Sequence, residues 1–502
     1  MTTPSLRGYE VWGRLGEGGM SEVWLAKHSA LAIPVILKTI RSPILAVIGA
    51  EKASERLLLE ARLMARVTNP RVVRALDGGT TDAGVPFLVQ EYVDGLDLAE
   101  LDRRRRAILG VGFPLWYVCF AMQEICEALH AAHQAGVVHR DVKPSNVFGS
   151  PETGVRLGDF GIAVTRTEET HRETSGTMKF MAPEQFRGET LDRRTDVYGA
   201  GATACDLRYG HGPFPFVAEI LDPDTTPHLP QPGSPQEAYF QHLIGQMLQK
   251  DPRRRPETAA EAGRHFRALA QSLRPHIPAG LMLDRNNALR VGHAVVSIQV
   301  GDLATAEADA LVSSANFQMH MRTGVGEALR RSGGDSIEEE ARRHGEQALG
   351  ACVRTGPGSL KTRHVFHAVS AWNEVSCVGR AMSRALLLAD EHGCRSLAIC
   401  ALGTGAGRVS MEMSANAMMT ALRWHALLGG SRLREIKVYT GDEAKRKTFQ
   451  EVAEEALRGQ NEPLRTKVEL GLPSAVGEAS GEGATCLDTS RADRGDDPDG
   501  MA

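Results

Sequence analysis

Asp141, Lys143, Asn146 and Asp159 are the residues of this 502-residue chain whose types and spacing point to the most specific chemistry. The first three sit in the run His139-Arg140-Asp141-Val142-Lys143-Pro144-Ser145-Asn146, and the fourth opens Asp159-Phe160-Gly161. In-line transfer of a phosphoryl group needs a carboxylate to orient the attacking hydroxyl, a cation beside the moving charge, and two oxygen ligands for magnesium. Asp141, Lys143, Asn146 and Asp159 supply these in that order. Each position has a separate mechanical duty, so the set is a specific signal.

Elements upstream must complete the site. Leu15-Gly16-Glu17-Gly18-Gly19-Met20-Ser21-Glu22-Val23 reads as a glycine-rich turn entering an apolar run. Glycines let backbone N–H groups approach phosphates closely, although such a loop alone is a weak sign. Lys38 ends Val35-Ile36-Leu37, a strand by its β-branched content. Glu60 lies in LLLEARLMARV, an amphipathic helical stretch. A Lys38–Glu60 ion pair would hold the lysine against a nucleotide's phosphates.

The length predicts two or three domains. Residues 9–272 hold the phosphoryl-transfer motifs, 273–287 are a Pro- and Gly-containing junction, and 288–458 alternate strand-like and helix-like segments, as an α/β domain does. The tail, 459–502, is rich in Gly, Glu, Asp and Ser and is expected to be disordered. A formal charge of −4 implies no global attraction to nucleic acid or an anionic membrane. The eight cysteines form no C-x-x-C pair and read as buried thiols in a reducing compartment. No apolar run reaches the ~18 residues of a membrane span, and the start lacks the shape of a secretory signal. A cytoplasmic protein is expected.

In the later region, Gly301-Asp302-Leu303 opens a turn after an apolar run. The strand Ala310 to Ser314 leads into Ala315-Asn316, and Gly324-Val325-Gly326-Glu327-Ala328-Leu329 enters a helix. The strand Ser396 to Leu402 ends in Gly403-Thr404-Gly405-Ala406-Gly407. Two glycine-bearing loops at strand-to-helix junctions suit a diphosphate, because free amides at helix N-termini bind anions. An acidic residue such as Asp302 could read an adenine amino group.

Residues 9–272 resemble a bacterial, eukaryotic-like Ser/Thr protein kinase, an α+β bilobal fold. The resemblance implies ATP held by Gly16, Glu17, Gly18, Gly19, Val23 and Lys38, with Glu60 pairing the lysine. It implies a catalytic Asp141 assisted by Lys143, magnesium on Asn146 and Asp159, a gatekeeper at Gln90, and a hinge to adenine from Glu91 to Val93. It continues through Ala182-Pro183-Glu184, Asp196 and Arg255, and it pairs Arg255 with a buried Glu184. Residues 288–458 resemble a macro domain, an α/β three-layer fold that binds ADP-ribose. VFHAV at 365–369 and SLAICALGTG at 396–405 carry this with the motifs above. The resemblance places adenine at Asp302, the distal ribose at Asn316, and the diphosphate along Gly324 to Gly326 and Gly403, Thr404 and Gly405. The implied partners are protein substrates, ATP, and ADP-ribose or an ADP-ribosylated protein.

Departures from the two patterns leave alternatives open. Ser21 replaces a loop glycine, and Ile36 and Phe148 add bulk where an adenine ring would lie, as in a pseudokinase scaffold. Ser313 replaces the first asparagine of the macro-domain strand end. Gly326 replaces the aspartate that hydrolytic members carry, which favours a reader over an ADP-ribosyl hydrolase. Arg408-Val409 replaces a small residue and an aromatic. Activation-loop phosphorylation among Thr165, Thr167, Thr170, Thr174 and Ser175 would neutralise Arg140, with Thr177 holding the catalytic loop. Arg103 to Arg106 read as an exposed helical face, and His130 and His133 as surface or packing residues. The short junction keeps the two domains at high effective concentration, so an ADP-ribosylated substrate could be recruited to the kinase. The sequence itself shows no interface between them.

Overall fold

The computed structural model describes residues 6–458 apart from 18–20, 42, 45, 47–48, 82–83, 151–153, 161–177, 274–288 and 373–374. Met1 to Thr466 cluster as one compact unit. Within it an α+β region of two lobes is followed by an α/β region. The junction beyond Leu273, the tail and the candidate phosphorylation sites Thr165 to Thr177 lie outside the described residues.

The first lobe is a five-stranded antiparallel sheet in the order β1-β2-β3-β5-β4. Its strands are β1 (Tyr9–Glu17), β2 (Ser21–His28), β3 (Pro34–Ile40), β4 (Ala75–Thr80) and β5 (Pro86–Glu91), and helix α1 (Ala50–Ala65) lies between β3 and β4 in the chain. Side chains alternate across a strand. Val35 and Leu37 of β3 therefore enter a core with Trp24, Ala26, Phe87 and Val89, while Ile36 and Lys38 face the other side of the sheet.

The second lobe is helical: α2 (Leu98–Leu109), α3 (Leu115–Gln134), α4 (Pro183–Arg187), α5 (Arg193–Tyr209), α6 (Val217–Leu221), α7 (Pro235–Met247) and α8 (Ala259–Leu273). A small sheet of β6 (Leu96–Asp97), β7 (Val147–Ser150) and β8 (Gly154–Leu157) accompanies them. α3 is apolar on nearly every face, so it is the buried central helix. Asp97, Asp192 and Ser234 cap α2, α5 and α7 by accepting from backbone N–H groups. Gly110 and Gly210 end α2 and α5 at φ 69° and 83°, where a Cβ would be strained.

The later region is a seven-stranded sheet in the order β12-β13-β11-β16-β17-β10-β9. Its strands are β9 (Leu289–Val291), β10 (Ala294–Val300), β11 (Ala310–Ser314), β12 (Cys352–Thr355), β13 (His364–Ala368), β16 (Ser396–Cys400) and β17 (Glu435–Thr440). β14 (Ala371–Trp372) and β15 (Val375–Ser376) form a separate hairpin. The five central strands pair in parallel, and β9 and β12 close the edges antiparallel. Central parallel strands are covered on both faces and so carry continuous apolar runs, as β11 and β16 do. The covering helices are α9 (Gly324–Gly333), α10 (Ser336–Arg343), α11 (Val378–Glu391), α12 (Met411–Leu428) and α13 (Glu443–Arg458).

The arginine run corrects the sequence reading. Arg105 is only 1% exposed, and its Nη2 donates to the carbonyls of Leu428 (2.9 Å) and Gly429 (3.2 Å) at the end of α12. This face of α2 is covered by the later region, beside a stack of Trp116 on Trp424. Among the described residues, no helix is long and apolar enough to cross a membrane.

Candidate active site and ligand crevice

The face of β3 that carries Lys38 looks into the cleft between the lobes. Lys38 Nζ lies 2.9 Å from Glu60 Oε1 on α1 and 3.2 Å from Asp159 Oδ1. Burial alone would lower the lysine pKa, but the charges of Asp159 and Glu60 outweigh it and raise the pKa above the usual lysine value. Burial likewise pushes Asp159 up, yet Lys38's charge and hydrogen bond hold it below the ordinary carboxylate value. For Glu60 burial wins and the pKa is raised. The cleft therefore keeps a cation and a carboxylate charged side by side.

Asp141 lies across the cleft. Lys143 Nζ is 2.7 Å from its Oδ2, and Asn146 Nδ2 donates to its carbonyl oxygen (2.8 Å) and to Oδ2 (3.0 Å). Two backbone positions are strained: Arg140 in this loop has φ 68°, and Asp159, past β8, has φ 52°. Such strain persists only where surrounding structure over-determines it. Here Asp196 of α5, 1% exposed, accepts from the N–H groups of His139 (2.7 Å) and Arg140 (2.6 Å). His133 Nε2 reaches the same carboxylate at 2.7 Å, so it is a packing histidine. The buried His139 ring is 3.0 Å from the Gly158 carbonyl and packs on Phe160. Behind the cleft, Arg255 holds Glu184 through two bonds of 2.6 and 2.8 Å, both side chains being almost fully buried.

The remaining candidates of the first region lie on β1, β2, β5 and the segment that follows it. Gly16 and Glu17 end β1 opposite Val23 and Glu22, and Val23 is opposite Lys38. Gly18 and Gly19 lie outside the described residues. Gln90 is buried and donates to Met64 Sδ. Glu91 turns its carboxylate to Arg74 and Arg156, and its N–H donates to the Arg74 carbonyl (3.0 Å). Val93, two residues past β5, is buried. Phe148 lies against Gly158, where a Cβ would come within 2.9 Å of the ring. The bulk of Phe148 is thus matched by a missing side chain.

In the later region β11 and β16 are neighbours whose chains leave toward opposite edges of the sheet. The crevice at the carboxyl ends of such strands is where open α/β sheets bind ligands. Gly324 opens α9 at φ 57°, and a Cβ at Gly324 or Gly405 would meet open space. Gly403 and Gly407 are different: Cβ atoms there would come within 3.0 and 2.7 Å of Ala371. The N–H of Gly403 donates to Ser314 Oγ, itself 2.9 Å from Ser370 Oγ. Thr404 Oγ1 donates to the Ala401 carbonyl. Gly326 is buried in the first turn of α9. Asp302 is exposed and accepts from Ala304 N–H. Asn316 is occupied locally, its Nδ2 donating to the His320 carbonyl and its Oδ1 accepting from His320 N–H. That bracket closes a turn in which Met319 has φ 61°.

Sequence reasoning overlooked Asp94. It follows the hinge and accepts from Gly379 N–H and Arg380 N–H, both at 2.9 Å, in the first turn of α11. An aspartate 285 residues distant carries no local signal of that pairing.

Comparison with known proteins agrees with this geometry. The protein kinase domain profile matches residues 9–266, and the macro domain profile matches 312–418. A probable serine/threonine-protein kinase of Corynebacterium efficiens is 31% identical over 287 residues, 53% of this chain and 41% of its own. The serine/threonine-protein kinase PknB of Mycolicibacterium smegmatis is 33% identical over 286 residues, 52% of this chain and 43% of its own. The chain thus spans less than half the length of these curated relatives. A solved PknI kinase domain of Mycobacterium tuberculosis is 26% identical, covers 54% of this chain and all of its own, and has a TM-score of 0.43. With its kinase match running over more than half its length, this chain belongs to the protein kinase domain family, and it carries a macro domain behind the kinase domain.

Proposed function

We propose that the chain is an ATP-dependent Ser/Thr protein kinase with an ADP-ribose-binding macro domain. The observation that carries the first part is the simultaneous pairing of Lys38 with Glu60 and Asp159, and of Asp141 with Lys143. Asp141 orients the hydroxyl of a protein serine or threonine and accepts its proton. Lys143 offsets charge on the phosphoryl group as it moves, and Lys38 holds the nucleotide's phosphates.

Magnesium fits the donor set. Asn146 commits its amide nitrogen to Asp141, which leaves its oxygen for a cation, and Asp159 has a second oxygen beyond the one facing Lys38. One or two such oxygens plus substrate phosphates are what magnesium takes, and when bound it neutralises phosphate charge. The intact set favours an enzyme over a pseudokinase scaffold. Seven described cysteines are free, which suits a reducing, cytoplasmic setting. The test is label transfer from ATP to a protein acceptor. Asp141→Asn should lower it about 100- to 10,000-fold while nucleotide still binds. Undiminished transfer in that variant would overturn the assignment.

In the macro domain the open backbone at Gly324 and Gly405 supports a diphosphate beside Gly326, Gly403 and Thr404, with adenine toward Asp302 and the distal ribose toward Asn316. Gly326 offers no acid or base, which supports reading over hydrolysis. Calorimetry on the full chain should show ADP-ribose binding that weakens in Asp302→Ala. Release of ADP-ribose from a modified protein would instead favour the hydrolase.

A further inference from the structure

The register of β2 on β3 sets Val23 opposite Lys38 and Leu25 opposite Ile36. Alternation along a strand then puts all four on one face, the face from which Lys38 reaches Glu60 and Asp159. Leu25 and Ile36 thus belong to the apolar end of the cleft, where a base would lie, and Leu15 and Tyr92 frame it from the glycine-rich loop and the hinge.

That end is covered by the macro domain. Leu25, 1% exposed, forms one buried cluster with Met319, Ala341, Leu349, Val369 and Cys377. Leu15, Ile36 and Tyr92 pack against this cluster together with Ala315 and Phe317. The phosphate end is open by comparison, since the Asp141 and Asp159 side chains are 30% and 37% exposed. Polar clamps hold the cover in place. Asp94 accepts from Gly379 and Arg380, Arg380 Nη1 donates to the Gly95 carbonyl (3.1 Å), and Arg384 Nη2 donates to both carboxylate oxygens of Glu100 (3.0 and 3.2 Å).

We propose that the adenine end of the kinase cleft is a docking surface for the macro-domain segment Ala315 to Met319, so that nucleotide binding and docking compete. The proposal rests on the kinase reading of the cleft. The segment suits the part: the Asn316 bracket and the positive φ of Met319 form a stiff turn that presents two apolar side chains to an apolar slot. The same segment leads from β11 toward α9 and so borders the macro-domain crevice. If only the undocked fraction binds ATP, the apparent affinity falls by that fraction.

Two full-length variants test this: Phe317→Ser in the segment and Arg384→Glu at the clamp. The expected result is ATP bound at least several-fold more tightly by both, with Arg384→Lys staying near the wild type. In the unmodified chain, saturating Mg-ATP should speed hydrogen exchange at residues 315–320 and at the amides of Gly379 and Arg380. Equal or weaker ATP binding in folded variants, or unchanged exchange in an ATP-saturated wild type, would overturn the proposal. Failure of every chain, variants included, to bind ATP at millimolar concentration would instead count against the kinase reading on which it rests.

Discussion

Burial alone would lower the Lys38 pKa, but the charges of Asp159 and Glu60 outweigh it and raise the pKa instead. Replacing the lysine with methionine removes the ammonium that bonds to both Glu60 and Asp159, so Lys38→Met should reduce phosphoryl transfer by about 100-fold or more, read by label transfer. His367 of β13 shows the opposite balance. It is 1% exposed, its Nε2 lies 2.9 Å from Thr355 Oγ1, and burial, followed by His344, lowers its pKa to about 4. As pH falls below the usual histidine value near 6.5, the unfolded chain takes up this proton first. Stability is therefore intact above about pH 6.5, is lost down to about pH 4, and the loss totals on the order of 3 kcal/mol. His367→Gln should flatten that part of a thermal-melt profile against pH, and an unchanged slope would contradict this account. The Lys38–Glu60 pair was legible in the sequence because both residues sit in short local patterns, a β-branched strand and an amphipathic helix. The burial of His367 was not, since it comes from packing around the whole sheet.

Pairs between elements stabilise what single elements cannot. Glu184 of α4 and Arg255 satisfy each other where neither meets solvent, and Thr195 Oγ1 adds a bond of 3.0 Å to the glutamate. Arg255→Ala strands a buried carboxylate, so the kinase domain should lose about 3–5 kcal/mol, seen as a large drop in its melting temperature. Helix α11 takes its N-terminal cap from Asp94, a residue of the other domain. Asp94→Ala should cost about 1 kcal/mol and lower the melting temperature by a few degrees. The parallel strands and their glycine-bearing ends were readable from apolar runs and turn residues. The burial of Arg105 was not readable, because its partners lie 323 and 324 residues further along the chain and a run of four arginines resembles any solvated helix.

At the scale of the molecule, the order of the two domains follows from their motifs, whereas their interface follows from residues with no motif at all. Leu25, Met319, Trp116 and Trp424 look like ordinary core positions in sequence, and only the folded chain shows that they meet across domains. The short junction made such docking easy without specifying its surface. The central claim is that the cleft holding Lys38, Glu60, Asp141, Asn146 and Asp159 transfers phosphate to protein hydroxyls. The most direct measurement is mass spectrometry of a protein acceptor after incubation with Mg-ATP and either the full chain or its Asp141→Asn variant. The account predicts phosphoserine or phosphothreonine with the wild type and a loss of two or more orders of magnitude with the variant. Equal phosphorylation by both chains, or none by a wild type that binds ATP, would contradict it.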